Sequence, residues 1–535
     1  MDRRSFLLRA SSAISGFLAG SVAPSPTQYF FSPTGDDGND GLTSLTPWQT
    51  HTKFNGLTIN PGETVTFLDG TYGSGWTLVM PSDGEAGNRI KLVGSVDGQA
   101  LFDGVRVYTD WTLHADAVWK RTDASADISQ VFTGTTRMIY AASEVALAAG
   151  AFAYVSNVVY VRMTDDSDPN GKSVGYGRID NGLAIKLNGK SHIEIDNIDF
   201  TRFNYGAVNT DVAGSDDIVI KNCLANWSCR EFLIGVTVAG VATSPTHVTI
   251  QNCIGHDDLD VPFWIGHGSQ LIVEHCEAYY NGKDVAPEAK NYPAASHFPD
   301  GICISADAED CDVRYNYVHD NYLLAAITDE LSLGARSNGV RIYGNRIDTS
   351  TNACYGISIA GANTLVYNNW INAGSGSAII LVNAPVTVRI YHNTLISPTG
   401  SQNSIDTTNQ TMTLCHVKNN IIIRAGATNR YISVAANSKA SFEADNNCYF
   451  GASTPKWFWG PTEYTTLGGW QAVVTGGDTG ALDVDPVFVT ANTDVHLQTT
   501  SPCKDAGMDL SAYVTIDYDE YARDATPSMG AFEFH

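Results

Sequence analysis

One phrase recurs through the middle of this chain: a few alternating apolar residues, an asparagine, then another apolar residue. It falls at Asn197, Asn222, Asn252, Asn316, Asn345, Asn369, Asn393, Asn420 and Asn447, with His275 in the one place that departs from asparagine. Successive spacings are 25, 30, 23, 41, 29, 24, 24, 27 and 27 residues. A short period that tolerates insertions is the mark of a solenoid, in which each repeat buries its apolar face against the next. Runs such as Val248-Thr249-Ile250 and Val340-Arg341-Ile342 are rich in β-branched residues, so each repeat is a turn of parallel strands rather than a helix pair. Gly301-Ile302-Cys303-Ile304, Gly356-Ile357-Ser358-Ile359 and Ala378-Ile379-Ile380-Leu381 read as a second strand in each turn. Asparagine side chains can pair with groups of the turns above and below, so Asn222, Asn252, Asn345, Asn369 and Asn393 are expected to stack at one corner. The expected fold is an all-β parallel β-helix of at least ten turns, a rod of about 43 Å at about 4.8 Å per turn. A long grooved side suits a polymer.

The repeat runs unbroken through the middle of 535 residues, so the chain reads as one solenoid with terminal additions. An apolar share of 43% is ample for a continuous core. With 32 basic against 57 acidic residues the formal charge is −25, which argues against nucleic acid and against a membrane surface as partner. A polyanionic substrate would need a local basic cleft or bound cations. No segment has eighteen or more consecutive apolar residues, so no membrane span is expected.

Asp2-Arg3-Arg4-Ser5-Phe6-Leu7-Leu8, followed by a mild apolar stretch and Ser21-Val22-Ala23, resembles a twin-arginine signal peptide over residues 1–23. Export to the periplasm or beyond is the expectation. Cys223, Cys253, Cys276 and Cys448 each follow a repeat position directly, so three of them should stack on consecutive turns. Parallel stacking points these side chains the same way, and free buried thiols are expected rather than disulfides.

The opening Tyr29-Phe30-Phe31-Ser32-Pro33-Thr34-Gly35-Asp36-Asp37-Gly38-Asn39-Asp40-Gly41, with Thr46-Pro47-Trp48, resembles that of many bacterial right-handed parallel β-helix proteins of the pectate-lyase-like superfamily. The ending is similar too, in Asp485-Pro486-Val487-Phe488, His496-Leu497, Ser501-Pro502, Asp505-Ala506-Gly507 and Gly530-Ala531-Phe532-Glu533. The resemblance implies a right-handed coil and a superfamily of polysaccharide lyases, glycoside hydrolases, epimerases and phage tailspikes; it does not choose a reaction. Residues 28–106 then form the first turns, 107–178 a small β insertion, 179–450 the central β-helix and 451–535 a cap over the open end. Within the insertion, the turn from Asp165 to Asn170 reads as solvated, with Ca²⁺ as the alternative.

Chemistry is expected where the repeat is most disturbed, between Asn252 and Asn345. The longest spacing there reflects an outgrowth over residues 280–299, and titratable groups crowd around it. One constellation is Asp257, Asp258 and Asp260, with Glu231 from the turn before, a set of hard oxygen ligands suited to Ca²⁺. It resembles the paired-aspartate calcium turn of the family 9 pectate lyases, in which a lysine is the base. A second is an acid pair, Asp300 with Asp329 and Glu330 on the next turn. A third is the group His256, His267, His275, His297 and His319, of which His297 or His319 could move a proton. Trp264, Tyr292, Phe298 and Tyr322 are the aromatic candidates for packing against sugar rings.

These features point to an exported enzyme that cleaves a polysaccharide. Cation-assisted β-elimination of a uronic-acid polymer is the first reading, with Ca²⁺ neutralising the carboxylate and Arg336, Lys283 or His297 nearby to take the proton. Hydrolysis by the Asp/Glu pair is the alternative. A different class altogether is a tailspike-like or adhesive binding rod, which would be trimeric where the enzyme is expected to be monomeric. All these residues are expected on one side of the rod, in a groove walled by the outgrowth.

Overall fold

The computed structural model describes residues 27–535, apart from 283–299 and the shorter stretches 74–75, 97, 124–127, 178–182, 205, 211–213, 229–231, 235–236, 239–240, 243, 306, 323, 333–334, 353, 398–401, 409–410, 425–429, 452–453, 455 and 492. The chain winds as a right-handed parallel β-helix with three faces, each a sheet of thirteen strands. A full turn is seen in Thr246–Gln251 on the first sheet, Ile254–His256 on the second and Phe263–Ile265 on the third, before the chain returns to the first at Ile272–Glu274. Alternation within each strand sends one set of side chains inward and the other out. On the third sheet Phe263 and Ile265 are buried in the core with Ile302, Ile304, Ile357 and Ile359 stacked above them in register.

The two ends of the core are closed by aromatic residues. At the start, the short helix His51–Asn55, capped by Thr50 accepting from the Lys53 N–H, inserts Phe54 among Phe31, Trp48 and Phe67. At the finish, Trp457 and Trp470 stack with ring centroids 6.4 Å apart beside Tyr431 and Tyr449. Only residues up to about the strand Leu482–Asp483 serve as this plug. The rest of the expected cap turns back and lies along the outside, where Leu510 and Val514 pack on Tyr343, Tyr367 and Tyr391, and Phe532 packs near Trp370.

The insertion leaves after the strand Ala100–Asp103 and returns before Leu183–Lys186. It consists of a four-stranded and a five-stranded sheet around a core of its own that includes Trp111, Phe152, Val161 and Tyr176. Its Asp165 turn is solvent-exposed, and the carboxylates are matched by Lys172 on Asp165 at 2.8 Å and Arg162 on Asp166 at 2.7 Å.

The asparagine corner exists, but it holds two adjacent positions that the repeat phrase merged. Asn316, Asn345, Asn369, Asn393, Asn420 and Asn447 point inward, and from Asn316 to Asn420 each side-chain amide donates to the next Oδ1 at 2.9–3.0 Å. Asn197, Asn222, Asn252 and His275 stand one place earlier, in a left-handed backbone shared with Tyr315, Gly344, Asn368, His392, Asn419 and Asn446. The inward place on those early turns belongs to Cys223, Cys253 and Cys276, and Cys276 donates its N–H to Asn316 Oδ1 at 2.9 Å, continuing the column. Asn222 and Asn252 are therefore corner residues outside the ladder. Cys448 follows a true ladder residue and packs on the outer side, against the returning tail. None of the nine described cysteines is in a disulfide, and all nine are buried.

Candidate active site

The third sheet presents an outward row that runs in register from Leu233 through Trp264, Cys303 and Thr328 to Ser358. Although these side chains face away from the core, Trp264 is 8% exposed, Cys303 5% and Thr328 4%. An outward row this covered lies at the bottom of a cleft. One rim is formed by the connections from the second sheet to the third, the other by connections from the third to the first, among them the hairpin Leu331–Ser332 and Ala335–Arg336.

Asp300, two places before Ile302, enters this cleft from the first rim and is 3% exposed. Its Oδ1 accepts from the Ala325 N–H of the next turn at 3.0 Å. Burial holds its carboxyl well above the usual carboxylate range; the Ala325 N–H and Thr328 favour the ion, while the charges of Glu330 and Asp260 raise the value further. Glu330 enters from the opposite rim, just past the strand Ala325–Asp329, and the Cys303 thiol lies 3.7 Å from its Oε2. Cys303 and Thr328 are register partners on adjacent strands, about 4.8 Å apart. The Glu330 carboxylate over one and the Asp300 carboxyl beside the other thus share the same patch of floor. Asp260, 6% exposed, supplies a third carboxyl close enough to act on Asp300. Two carboxyls with different burial, one enclosed with its pKa raised and one half-buried and more open, are the equipment of general acid–base chemistry.

The other expected residues scatter. Asp329 is paired in register with Ile304 and Ile359 and so faces the core, fully buried, where it accepts from Thr364 Oγ1 at 2.7 Å and also from Ser337 Oγ. Burial pushes it up to about 6. It is a structural carboxyl beneath the cleft floor. Arg336 donates to the carbonyl of Ala360 and, at 2.6 Å, to that of Asn383, tying together successive turns rather than reaching for a ligand. Trp264 lies in the floor row against Leu183 and Leu233. Tyr322 sits on the rim, its N–H donating to Asn281 O at 3.0 Å. Lys283, Tyr292, His297, Phe298 and Glu231 lie outside the described residues.

The carboxylates expected to hold Ca²⁺ point three ways. Asp257 pairs with its neighbour His256 at 2.8 Å on the side of the second sheet. Asp258 is turned into the coil, where its Oδ1 accepts from the Ser228 N–H at 2.9 Å and its own N–H donates to Asn281 Oδ1 at 3.1 Å. It belongs to a second buried column, Ser228, Asp258, Asn281 and Asn321, at the corner between the second and third sheets. Asp260 alone enters the acid cleft. Among the described residues no three His, Cys, Asp or Glu side chains are grouped to hold a metal, and Asp257, Asp258 and Asp260 do not converge on one point. Of the histidines, His319 has both ring nitrogens engaged, at 2.8 Å by Asp320 and 3.1 Å by Glu277, and stacks on Tyr279 with His256 beyond. Burial opposes its protonation, but these carboxylates prevail and raise its pKa, which suits a fixed cation more than a base.

Residues 183–331 match the family model described as a right-handed β-helix region. No curated protein matches the sequence. Among solved structures, XylC in complex with xylose superposes with a TM-score of 0.64 at 12% identity, covering 95% of this chain and 98% of that one. The fold is a right-handed parallel β-helix. Pectate lyase Pel9A is similar to this β-helix at a TM-score of 0.47 and 14% identity over 95% and 96% of the two chains. The mannuronan C-5 epimerase AlgE6 A-module of Azotobacter vinelandii gives 0.47 and 12% over 80% and 92%. Among the described residues, no helix of the β-helix chain is long and apolar enough to cross a membrane.

Proposed function

We propose that this protein is an exported carbohydrate-active enzyme that hydrolyses glycosidic bonds, with Asp300 as the general acid and Glu330 as the base or nucleophile. The observation that carries the reading is the pair of opposed carboxyls over Cys303 and Thr328, with Asp300 buried, which pushes its pKa well above the usual carboxylate range. Asp300 would protonate the leaving oxygen; Glu330, on the more open side, would activate water or attack the anomeric carbon. Trp264 gives the cleft floor an apolar surface, and burial, with the charges of Glu330 and Asp260 adding to it, favours the protonated form of Asp300. A fold shared with a protein solved with xylose is compatible with a sugar in such a cleft.

Digestion of a panel of neutral and uronic-acid polysaccharides tests this, with new reducing ends and the ultraviolet absorbance of unsaturated ends read in parallel. Hydrolysis releases reducing ends without unsaturation. Unsaturated ends would replace the reading with elimination, for which Lys283 or His297 would be the base. Binding without any cleavage would make the protein a glycan-holding rod.

A further inference from the structure

A second hollow lies on the outer face of the first sheet, a different side of the prism from the acid cleft. Its cavity volume is about 430 Å³, within the range of small-molecule sites. The floor is Val219, Thr249 and Ile272, which point outward from three consecutive strands and are paired in register. The wall is Asp217, His247, Gln270 and Asp310, the residue at the entry to each strand, all with left-handed backbones at φ 54°, 51°, 57° and 52°. The ends are closed by ion pairs, Arg89 on Asp217 at 2.5 Å and Arg341 on Asp312 at 2.5 Å. Three turn intervals make the hollow about 14 Å long.

The charges at both ends are neutralised within the protein, whereas the amide of Gln270 and the carboxylate of Asp310, the third and fourth residues of the wall, make no side-chain hydrogen bond or ion pair among the described residues. The hollow therefore offers an apolar strip from Val219 and Ile272, a hydroxyl from Thr249, and one open donor–acceptor edge. That alternation matches a sugar chain, whose C–H faces meet the strip and whose hydroxyls meet the edge. An anionic chain would meet the carboxylate of Asp310 on a molecule of net charge −25. We propose that this hollow is a second, non-catalytic binding site for a neutral oligosaccharide, holding polymer on the flank of the rod. The proposal shares with the function above only the ligand class, a glycan.

Glycine is favoured where the backbone is left-handed, so Gln270→Gly with Asp310→Gly strips the wall without straining the fold. Thr249→Tyr fills the floor independently. Calorimetric titration of the full chain with short xylo-, gluco- and manno-oligosaccharides, beside oligogalacturonate, reads binding; Asp300→Asn serves as background to prevent turnover. The expected result is a neutral-oligosaccharide site that weakens about tenfold or more in both hollow variants, with melting temperature unchanged and, in the same variants made with Asp300 intact, turnover of a small soluble substrate unchanged. Equal affinity and stoichiometry in the variants, absence of neutral-oligosaccharide binding, or preference for oligogalacturonate would each overturn it. If no substrate is cleaved at all, the function proposed for the acid cleft fails while loss of binding in the hollow variants still upholds this one.

Discussion

Asp300 and Asp329 carry the same carboxyl into opposite surroundings, one roofing a cleft and the other sealed among Ile304, Ile359, Ser337 and Thr364. Their substitutions should separate accordingly. Asp300→Asn keeps the acceptor for the Ala325 N–H but has no proton to give, so turnover should fall by about a hundredfold or more at an unchanged melting temperature. Loss of folding in that variant would make Asp300 structural. For Asp329 the effect is on stability. A carboxyl whose pKa is raised on folding binds more protons folded than unfolded, so stability falls as pH climbs from the unfolded value through about 6. The loss is worth roughly 3 kcal/mol at neutral pH. Asp478, also pushed up to about 6 by burial, adds to the same slope. Denaturation curves between acidic and neutral pH should therefore show a decline that is shallower in Asp329→Asn; an identical slope in the variant would mean that Asp329 is ionised in the fold.

At the scale of the element, the ladder concentrates buried polar groups at one corner. Asn393 accepts from Asn369 N and Nδ2 and donates to the carbonyls of Val366 and Tyr391 and to Asn420 Oδ1. Asn393→Ala strands all of these in a dry interior, so the midpoint of chemical denaturation should drop by the equivalent of about 3 kcal/mol or more. A loss below about 1 kcal/mol would mean that water replaces the amide. The same corner shows how far the sequence could be read. The period, the strand type and the run of turns were legible because β-branched residues and asparagines recur. Whether the asparagine stood at the left-handed place or the inward one was not, since loop lengths vary by more than the one residue that separates them. That offset inverts what faces the core, which is why Asn222 and Asn252 were assigned to the ladder and Asp329 to the cleft. Asp300 and Glu330 stand out in the sequence as acids at the most disturbed turn, one just before a strand and the other just after one. Asp258 was not legible as a ladder residue, because its column, from Ser228 to Asn321, mixes three residue types and has no repeating letter.

For the whole molecule, the returning tail is the element that spans the most turns. The left-handed corner row that lies just outside the ladder becomes its rail. Asn368 Nδ2 donates to Ile516 O at 2.6 Å, Asn419 Nδ2 to Met508 O at 2.8 Å, and Asn446 Nδ2 to Ala506 O at 3.2 Å. Arg523, whose side chain is 2% exposed, pairs with Glu533 at 3.2 Å and donates to Asn368 Oδ1 at 2.8 Å. Ending the chain after residue 483 should uncover Tyr391, Ile421 and Trp370 and lower the melting temperature by about 5 °C or more, read by thermal unfolding. A truncated chain as stable as the full one would show the tail to be a passive appendage.

That rail also gives the rod a mechanical direction. A force applied at His535 does not meet the last turn alone, because the tail is fastened at Asn446, Asn419 and Asn368, on three of four successive turns, and loads those hydrogen bonds together. Peeling turn by turn, the weakness of a structure whose repeats touch only their neighbours, is thereby closed off at the carboxyl end. Pulled from its two termini, the protein should unravel first from the turns nearest Gln28, leaving the later ones wound.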